Sequence, residues 1–175
     1  EFMGSEAVFV TSGEDNQLKM WIFDKPDGSA RLLKSRGGHR LPPSRIRFYS
    51  AADRGGGGGQ GADHILSGGP DCSLRSFNLY RPQQSTQLSQ GKGKASVLSS
   101  RSPASIPVDR KLLGPVVDFA ACETRERDWC NVLSCHQGDD QAASWRFATK
   151  AIGKRRLRNP NRDRSQVTAV AISKC

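Results

Sequence analysis

The sequence is poor in the residues that would build a large interior of its own. Of its 175 residues only 35% are hydrophobic and 7% aromatic, whereas 25% are charged. No apolar run approaches the ~20 residues that a membrane-spanning helix needs, and no segment resembles a secretory signal. The sequence therefore predicts no membrane span. It also predicts either sizeable loops outside the packed core or a core completed by contacts elsewhere.

Acidic residues are also scarce: 17 Asp and Glu face 27 Lys and Arg, which gives a formal net charge of +10. This excess favours polyanionic partners, RNA or DNA first, without indicating a fold. The cysteines number five, and an odd count without a secretory signal predicts reduced thiols. Cys130, Cys135 and His136 lie close together but lack a second cysteine pair, so we predict no metal site.

A helical period is missing too, and a repeat takes its place. "VTSGEDNQLKMWIFD" (10–24), "HILSGGPDCSLRSFNLY" (64–80) and "NVLSCHQGDDQAASWRF" (131–147) each carry a serine, a turn rich in Gly and Asp, and an aromatic residue six positions after an aspartate. The serine-to-aspartate distance grows from three to four to five residues. Asp and Gly are typical of tight turns between strands, so each stretch predicts a hairpin. The repeated residues are Ser12, Asp15 and Trp21; Ser67, Asp71 and Phe77; and Ser134, Asp139 and Trp145.

Further strand patterns flank each hairpin and predict an all-β chain of short antiparallel strands. With the strands of one unit labelled a to d, the chain runs bcd, abcd, abcd, a. The predicted organisation is a cloning remnant at 1–5, a partial unit at 6–36, a unit at 37–90 with a Gly-rich insert at 54–61, a basic low-complexity loop at 91–111, a unit at 112–160, and the first strand of a further unit at 161–175.

Four strands per unit, an aspartate six residues before an aromatic, and Gly38-His39 ahead of a first strand resemble WD repeats. The resemblance implies β-propeller blades, about three blades' worth within a larger propeller. In that family the turn aspartate, a loop histidine, a strand serine and a tryptophan form a buried network, which here includes His39. Phe77 has no indole N–H, so the second network would stop at Ser67, and the third unit has no histidine before its first strand.

A narrower resemblance is to WD-repeat subunits of the small-subunit processome. Its most specific part runs from "RERDW" (125–129) to "CHQG" (135–138), which belongs to no general WD consensus. The resemblance implies a piece of a much longer protein with two tandem propellers. It also implies a nuclear, nucleolar scaffold in the UTP-B subcomplex, acting with the U-three snoRNP in processing of the small-subunit rRNA precursor. Its partners would be other WD-repeat processome subunits and pre-ribosomal RNA or the U-three snoRNA.

The densest charge lies in "GKRRLRNPNRDR" (153–164). As an alternative function, this segment and the 91–111 loop would contact RNA phosphates with an affinity that falls steeply with salt. No aromatic residue interleaves the charges, so any contact would be independent of base sequence. The simpler interpretations are a solvated outer strand with its loop, or a patch of the nuclear-import type. The candidate phosphate-contacting residues are Lys154, Arg155, Arg156, Arg158, Arg162 and Arg164.

Motifs of catalysis are absent. "GGGGG" (55–59) is not followed by the Lys-Ser or Lys-Thr of a phosphate-binding loop. No Gly-x-Ser-x-Gly elbow occurs, and no carboxylate pair has a catalytic partner. The sequence thus predicts no enzyme, no cofactor and no small-molecule substrate. His136 is predicted to lie in a hairpin turn. Detectable turnover abolished by replacing it would revive a hydrolase hypothesis.

Overall fold

The computed structural model describes residues 8–50, 63–90, 112–125, 128–158, 160 and 164–173. The described chain is all-β, which confirms the predicted fold class: its strands form three antiparallel sheets, and its only helical pieces are two 3-10 turns, Pro82–Gln84 and Glu123–Arg125. The first sheet contains β1 (Val8–Ser12), β2 (Leu18–Ile22) and β3 (Arg31–Arg36); the second contains β4 (Arg45–Tyr49), β5 (His64–Gly68), β6 (Leu74–Asn78) and β7 (Thr86–Gln87); the third contains β8 (Val116–Ala121), β9 (Val132–His136), β10 (Gln141–Arg146) and β11 (Ala151–Arg158).

Strands follow one another in every sheet without crossovers. The spatial orders are β1-β2-β3, β4-β5-β6-β7 and β11-β10-β9-β8. This up-and-down arrangement matches the predicted bcd, abcd, abcd order. The predicted Gly-rich insert at 54–61 and the basic loop at 91–111 lie outside the described residues.

The three central hairpins share one turn device. Each repeated aspartate accepts a hydrogen bond from the backbone N–H two residues later: Asp15 from Gln17, Asp71 from Ser73 and Asp139 from Gln141, at 3.2 to 3.3 Å. A short carboxylate that bonds its own backbone in this way closes a turn without help from the sheet. The repeat of aspartate in the sequence is therefore explained by local turn geometry.

Two apolar cores separate the three sheets. Successive residues of β5 point to opposite faces, so Ile65 enters the core shared with the first sheet and Leu66 the core shared with the third. All of β5 is consequently buried. Gly68 ends this strand where a Cβ atom would lie only 2.8 Å from Val116 of the third sheet, so glycine permits the close approach.

Polar contacts tie the second and third sheets together as well. The amide N–H of Ser89 donates to the carbonyl oxygen of Lys150 at 2.7 Å, and that of Ile152 donates to the carbonyl oxygen of Ser89 at 2.8 Å. Buried Asn131 links the two sheets: its side-chain amide donates to the Tyr49 hydroxyl, and its side-chain oxygen accepts from the Phe147 amide.

The segment 164–173 has no strand pairing within the described part of the chain. Two of its amides donate hydrogen bonds towards the third sheet, Val167 to the Asp139 carbonyl and Val170 to the Asp118 side chain. Because neither bond belongs to a strand ladder, a first strand of a further unit at 161–175 stays a prediction.

Candidate functional site

In the third sheet a chain of hydrogen bonds begins at Trp145. Its indole N–H donates to the Ser134 hydroxyl at 2.7 Å. That hydroxyl lies 2.8 Å from Nε2 of His136, and Nδ1 of His136 lies 2.7 Å from the carbonyl oxygen of Gly114. A carbonyl only accepts, so Nδ1 carries the proton and Nε2 accepts from Ser134. Every member of the chain is satisfied while His136 is neutral.

His136 supplies what the sequence analysis found missing in this unit. It is the last residue of β9 and fully buried, rather than a residue of the hairpin turn. The signal was present in the spacing Ser134-x-His136, because residues two apart on a strand share one face. The histidine thus comes from the strand that carries the serine and not from the preceding loop.

In the second sheet the predicted residues do come together. His39 Nε2 lies 2.6 Å from the Ser67 hydroxyl, and His39 Nδ1 lies 2.9 Å from an Asp71 carboxylate oxygen. Asp71 also accepts from the Ser73 hydroxyl at 2.8 Å and the Arg40 amide at 3.0 Å. The tilted Phe77 ring lies 6.1 Å from the His39 ring. Since Phe has no N–H to donate, this network ends at Ser67.

In the first sheet the structure corrects one predicted residue. The Trp21 indole N–H donates to the Thr11 hydroxyl at 2.9 Å, and not to Ser12. Trp21 stands opposite Phe9 in the ladder, so the residue on the same face two positions along is Thr11. Ser12 points to the other face. Counted from Thr11, the serine/threonine-to-aspartate distances become four, four and five.

This correction gives a test by matched substitutions. Thr11→Val should lower the free energy of unfolding by about 0.5–1.5 kcal/mol, because the indole N–H loses its acceptor. Ser12→Ala should change it by less than about 0.5 kcal/mol. Urea unfolding followed by circular dichroism measures both. A larger loss for Ser12→Ala than for Thr11→Val would contradict this correction and favour Ser12, the residue predicted from the sequence.

Burial perturbs the titration of both network histidines. It lowers the pKa of His39 below the ordinary 6.5, and hydrogen bonding to Asp71 offsets this only in part. It likewise lowers the pKa of His136, against a smaller opposing effect of the Gly114 carbonyl. Burial raises the pKa of Asp71, but bonds from the Arg40 amide, His39 and Ser73 outweigh it and leave the pKa lowered.

These shifts predict a loss of stability in mild acid. At pH values below the ordinary histidine pKa of 6.5, His39 and His136 are protonated in the unfolded chain. In the folded chain they bind fewer protons, because their pKa values are lowered there. The free energy of unfolding should therefore fall as the pH is lowered from about 7.5 to about 5.5. His136→Gln, which removes one titrating group, should be less stable at neutral pH but show a shallower pH slope. An unchanged slope would contradict the assignment of His136.

The predicted phosphate-contacting residues lie on an outer strand. Lys154, Arg155, Arg156 and Arg158 are exposed on β11; Arg164 is exposed beyond it, and Arg162 lies outside the described residues. Among the described residues, Arg158 alone of these strand cations reaches a carboxylate, with Nε 3.6 Å from Asp140. The other three strand cations remain available to a partner.

The Ser67–His39–Asp71 contacts have the connectivity of a hydrolase triad but not its access. Ser67 is 0% exposed, so its hydroxyl cannot meet a substrate. Over the residues that the structure describes, no group of three or more His, Cys, Asp or Glu could hold a metal ion. Across the same residues, no helix is long and apolar enough to cross a membrane.

Comparison with known proteins gives similarity along the whole chain. No family model matches. The U3 small nucleolar RNA-associated protein 21 homolog of Schizosaccharomyces pombe is 37% identical over 175 residues, and human WD repeat-containing protein 36 is 33% identical over 180. U3 small nucleolar RNA-associated protein 21 of Saccharomyces cerevisiae is 30% identical over 191 residues. The matches cover 98–100% of this chain, which spans 18% of the length of each relative. The predicted resemblance is confirmed, and the three sheets are WD-repeat blades.

Proposed function

From its similarity to U3 small nucleolar RNA-associated protein 21 and WD repeat-containing protein 36, we propose that this chain is part of a non-catalytic WD-repeat scaffold in ribosome biogenesis. The scaffold acts in the nucleolus, in the small-subunit processome, with the U-three snoRNP and within the UTP-B subcomplex. The observation that carries the proposal is the 37% identity over the whole chain to a protein whose name associates it with the U3 small nucleolar RNA.

The interior chemistry supports a scaffold role. Ser67, Ser134 and His136 are each at most 1% exposed, so their hydrogen-bonding capacity is directed into the sheets. Such networks hold sheets in one arrangement and leave loops and outer strands to meet partners. The mechanism is geometric: sheets of fixed relative position present several surfaces at once, and the chain performs no bond-making step.

Contact with RNA phosphates is the second candidate, and the exposure of Lys154, Arg155 and Arg156 favours it. A phosphate-driven complex would weaken linearly in a plot of log affinity against log salt. A scaffold held by protein contacts would keep its partners at moderate salt. The two candidates are therefore separable by one titration.

The experiment is affinity purification of the protein that contains this chain from its own cells, with and without RNase. The scaffold function predicts co-purification of other WD-repeat processome subunits and of the U-three snoRNA, with the proteins retained after RNase. Loss of the proteins with RNase would favour direct RNA contact. Absence of both would contradict the proposed function.

A further inference from the structure

The outer strand of the third sheet offers a long backbone edge. β11 has eight residues, whereas β7, the corresponding strand of the second sheet, has two. β11 is terminal in its sheet, and within the described residues no other strand pairs with its outer side over 153–158. An edge strand directs alternate N–H and C=O groups away from its sheet, where they can pair with another extended chain.

The first residues of this edge already hold such a chain. Ser89 forms a parallel bridge with Ala151. The Ser89 amide donates to the Lys150 carbonyl, and the Ser89 carbonyl accepts from the Ile152 amide. The outer side of β11 thus accepts a strand within the molecule itself, and the described part of that strand, which ends at Gln90, pairs with β11 at Ala151. The edge is not regular over its whole length: the register of β11 against β10 shifts between Ile152 and Arg156, and the ladder resumes over Arg156, Leu157 and Arg158.

The side chains on this edge define the charge of what it can accept. Lys154, Arg155 and Arg156 are exposed, and Leu157 is 48% exposed on the face opposite Arg156. Arg158 lies beside Asp140, so a carboxylate already occupies the far end of the row. A strand with acidic side chains towards the cations and an apolar side chain towards Leu157 complements this pattern.

Two other ligands fit the unpaired edge of β11 less well than an acidic peptide does. A second copy of β11 would place its cations opposite these, which is unfavourable in a paired ladder. RNA would meet the cations but leave the backbone groups without partners, and β11 carries no aromatic residue on which bases could stack. The edge favours a peptide over either.

We propose that the outer edge of β11, at 153–158, binds an acidic extended segment of a partner protein as an added β-strand. This proposal deepens the scaffold function by giving it a class of partner, and it rests on that function for its biological setting. The added strand would lie on the same side of β11 as Ser89. Lys154 and Arg156 select acidic side chains, and Leu157 receives an apolar one.

The test uses the 175-residue chain and a labelled peptide of alternating glutamate and valine as long as β11, followed by fluorescence anisotropy. Two further peptides carry N-methyl groups on alternate amides, one at the odd-numbered and one at the even-numbered residues, which removes the backbone donors from one edge of each peptide and leaves its charge unchanged. We expect N-methylation in one of the two possible phases to weaken binding at least about tenfold, and the other phase to have a much smaller effect. Comparing the phases shows which edge of the peptide pairs with β11.

Charge variants complete the design. The double variant Lys154→Glu/Arg156→Glu should weaken binding about tenfold or more, whereas Lys25→Glu, an exposed cation on a distant turn, should leave it within about twofold. No binding of the unmethylated peptide, or equal binding of the two methylated peptides, would overturn the proposal. So would displacement of the peptide by an oligouridylate at equal concentration. These results do not depend on the purification experiment, so either proposal can fail while the other stands.

Discussion

Trp145→Ala should lower the free energy of unfolding by about 3–5 kcal/mol, the cost of truncating a large aromatic side chain in a packed core. Trp145 is 0% exposed and lies in the core between the second and third sheets. Its loss leaves a cavity there and also removes the donor to Ser134. Urea unfolding followed by far-ultraviolet circular dichroism measures the change without relying on the lost fluorophore.

Trp21→Ala is the matched control for this prediction. Trp21 occupies the same repeat position, but it is only half-buried and stacks against Phe9 on the side of the first sheet that faces away from the second. Its replacement should cost about 1–2 kcal/mol, in proportion to the smaller apolar area removed from contact. Equal losses for the two variants would contradict the assignment of Trp145 to an inter-sheet core.

Asp71→Ala should be the second most damaging single change, with a loss of about 2–4 kcal/mol in the free energy of unfolding. The Asp71 carboxylate accepts from His39, the Ser73 hydroxyl and the Arg40 amide, so its removal takes the charged acceptor from three donors. The longer contact of 3.1 Å between Ser73 Oγ and His39 Nδ1 is what remains between those two buried side chains. The same measurement by urea unfolding applies.

Asp139→Ala provides the control at the equivalent position of the third unit. The hydrogen bond described for the Asp139 carboxylate is the one from the Gln141 amide, within the turn. His136 is bonded instead to Gly114, so it keeps its partner when Asp139 is lost. We expect a loss of about 1 kcal/mol or less. If Asp139→Ala is as damaging as Asp71→Ala, the two networks are organised alike and the description of the third is wrong.

The sheets were predictable because their signals are local. An aspartate that closes its own turn and an aromatic at a fixed distance along the next strand require no knowledge of distant contacts, as Asp15 and Trp21 illustrate. The order of strands followed from the repeat. The described sheets contain three, four and four strands, the number that the flanking patterns gave.

The details that sequence reasoning missed depend on which face a side chain occupies. Choosing Ser12 over Thr11 rested on residue identity, whereas the hydrogen bond is decided by the pleat, which sets Thr11 and Trp21 on one face. His136 was passed over because it was assigned to a turn, although its distance from Ser134 is that of same-face neighbours. In both places an explicit strand register would have given the observed partner.

The strand-accepting edge of β11 could not be predicted from the sequence, for a different reason. The cations of this segment are visible in the composition, but the pairing of Ser89 with the start of β11 joins residues far apart in the chain. Such a bridge depends on how the second sheet packs on the third, and no local pattern specifies that. The step from a basic segment to a strand-accepting edge therefore required the structure.

The most direct test of the central claim, that these polar side chains form an interior framework rather than a reactive site, is hydrogen exchange at the indole N–H groups of the three tryptophans, followed by NMR. Trp145 donates to Ser134 in a fully buried chain, Trp21 donates to Thr11 while half-buried, and Trp129 is 56% exposed. We predict slowest exchange at Trp145, intermediate exchange at Trp21 and fastest exchange at Trp129. Exchange at Trp145 as fast as at Trp129 would contradict it.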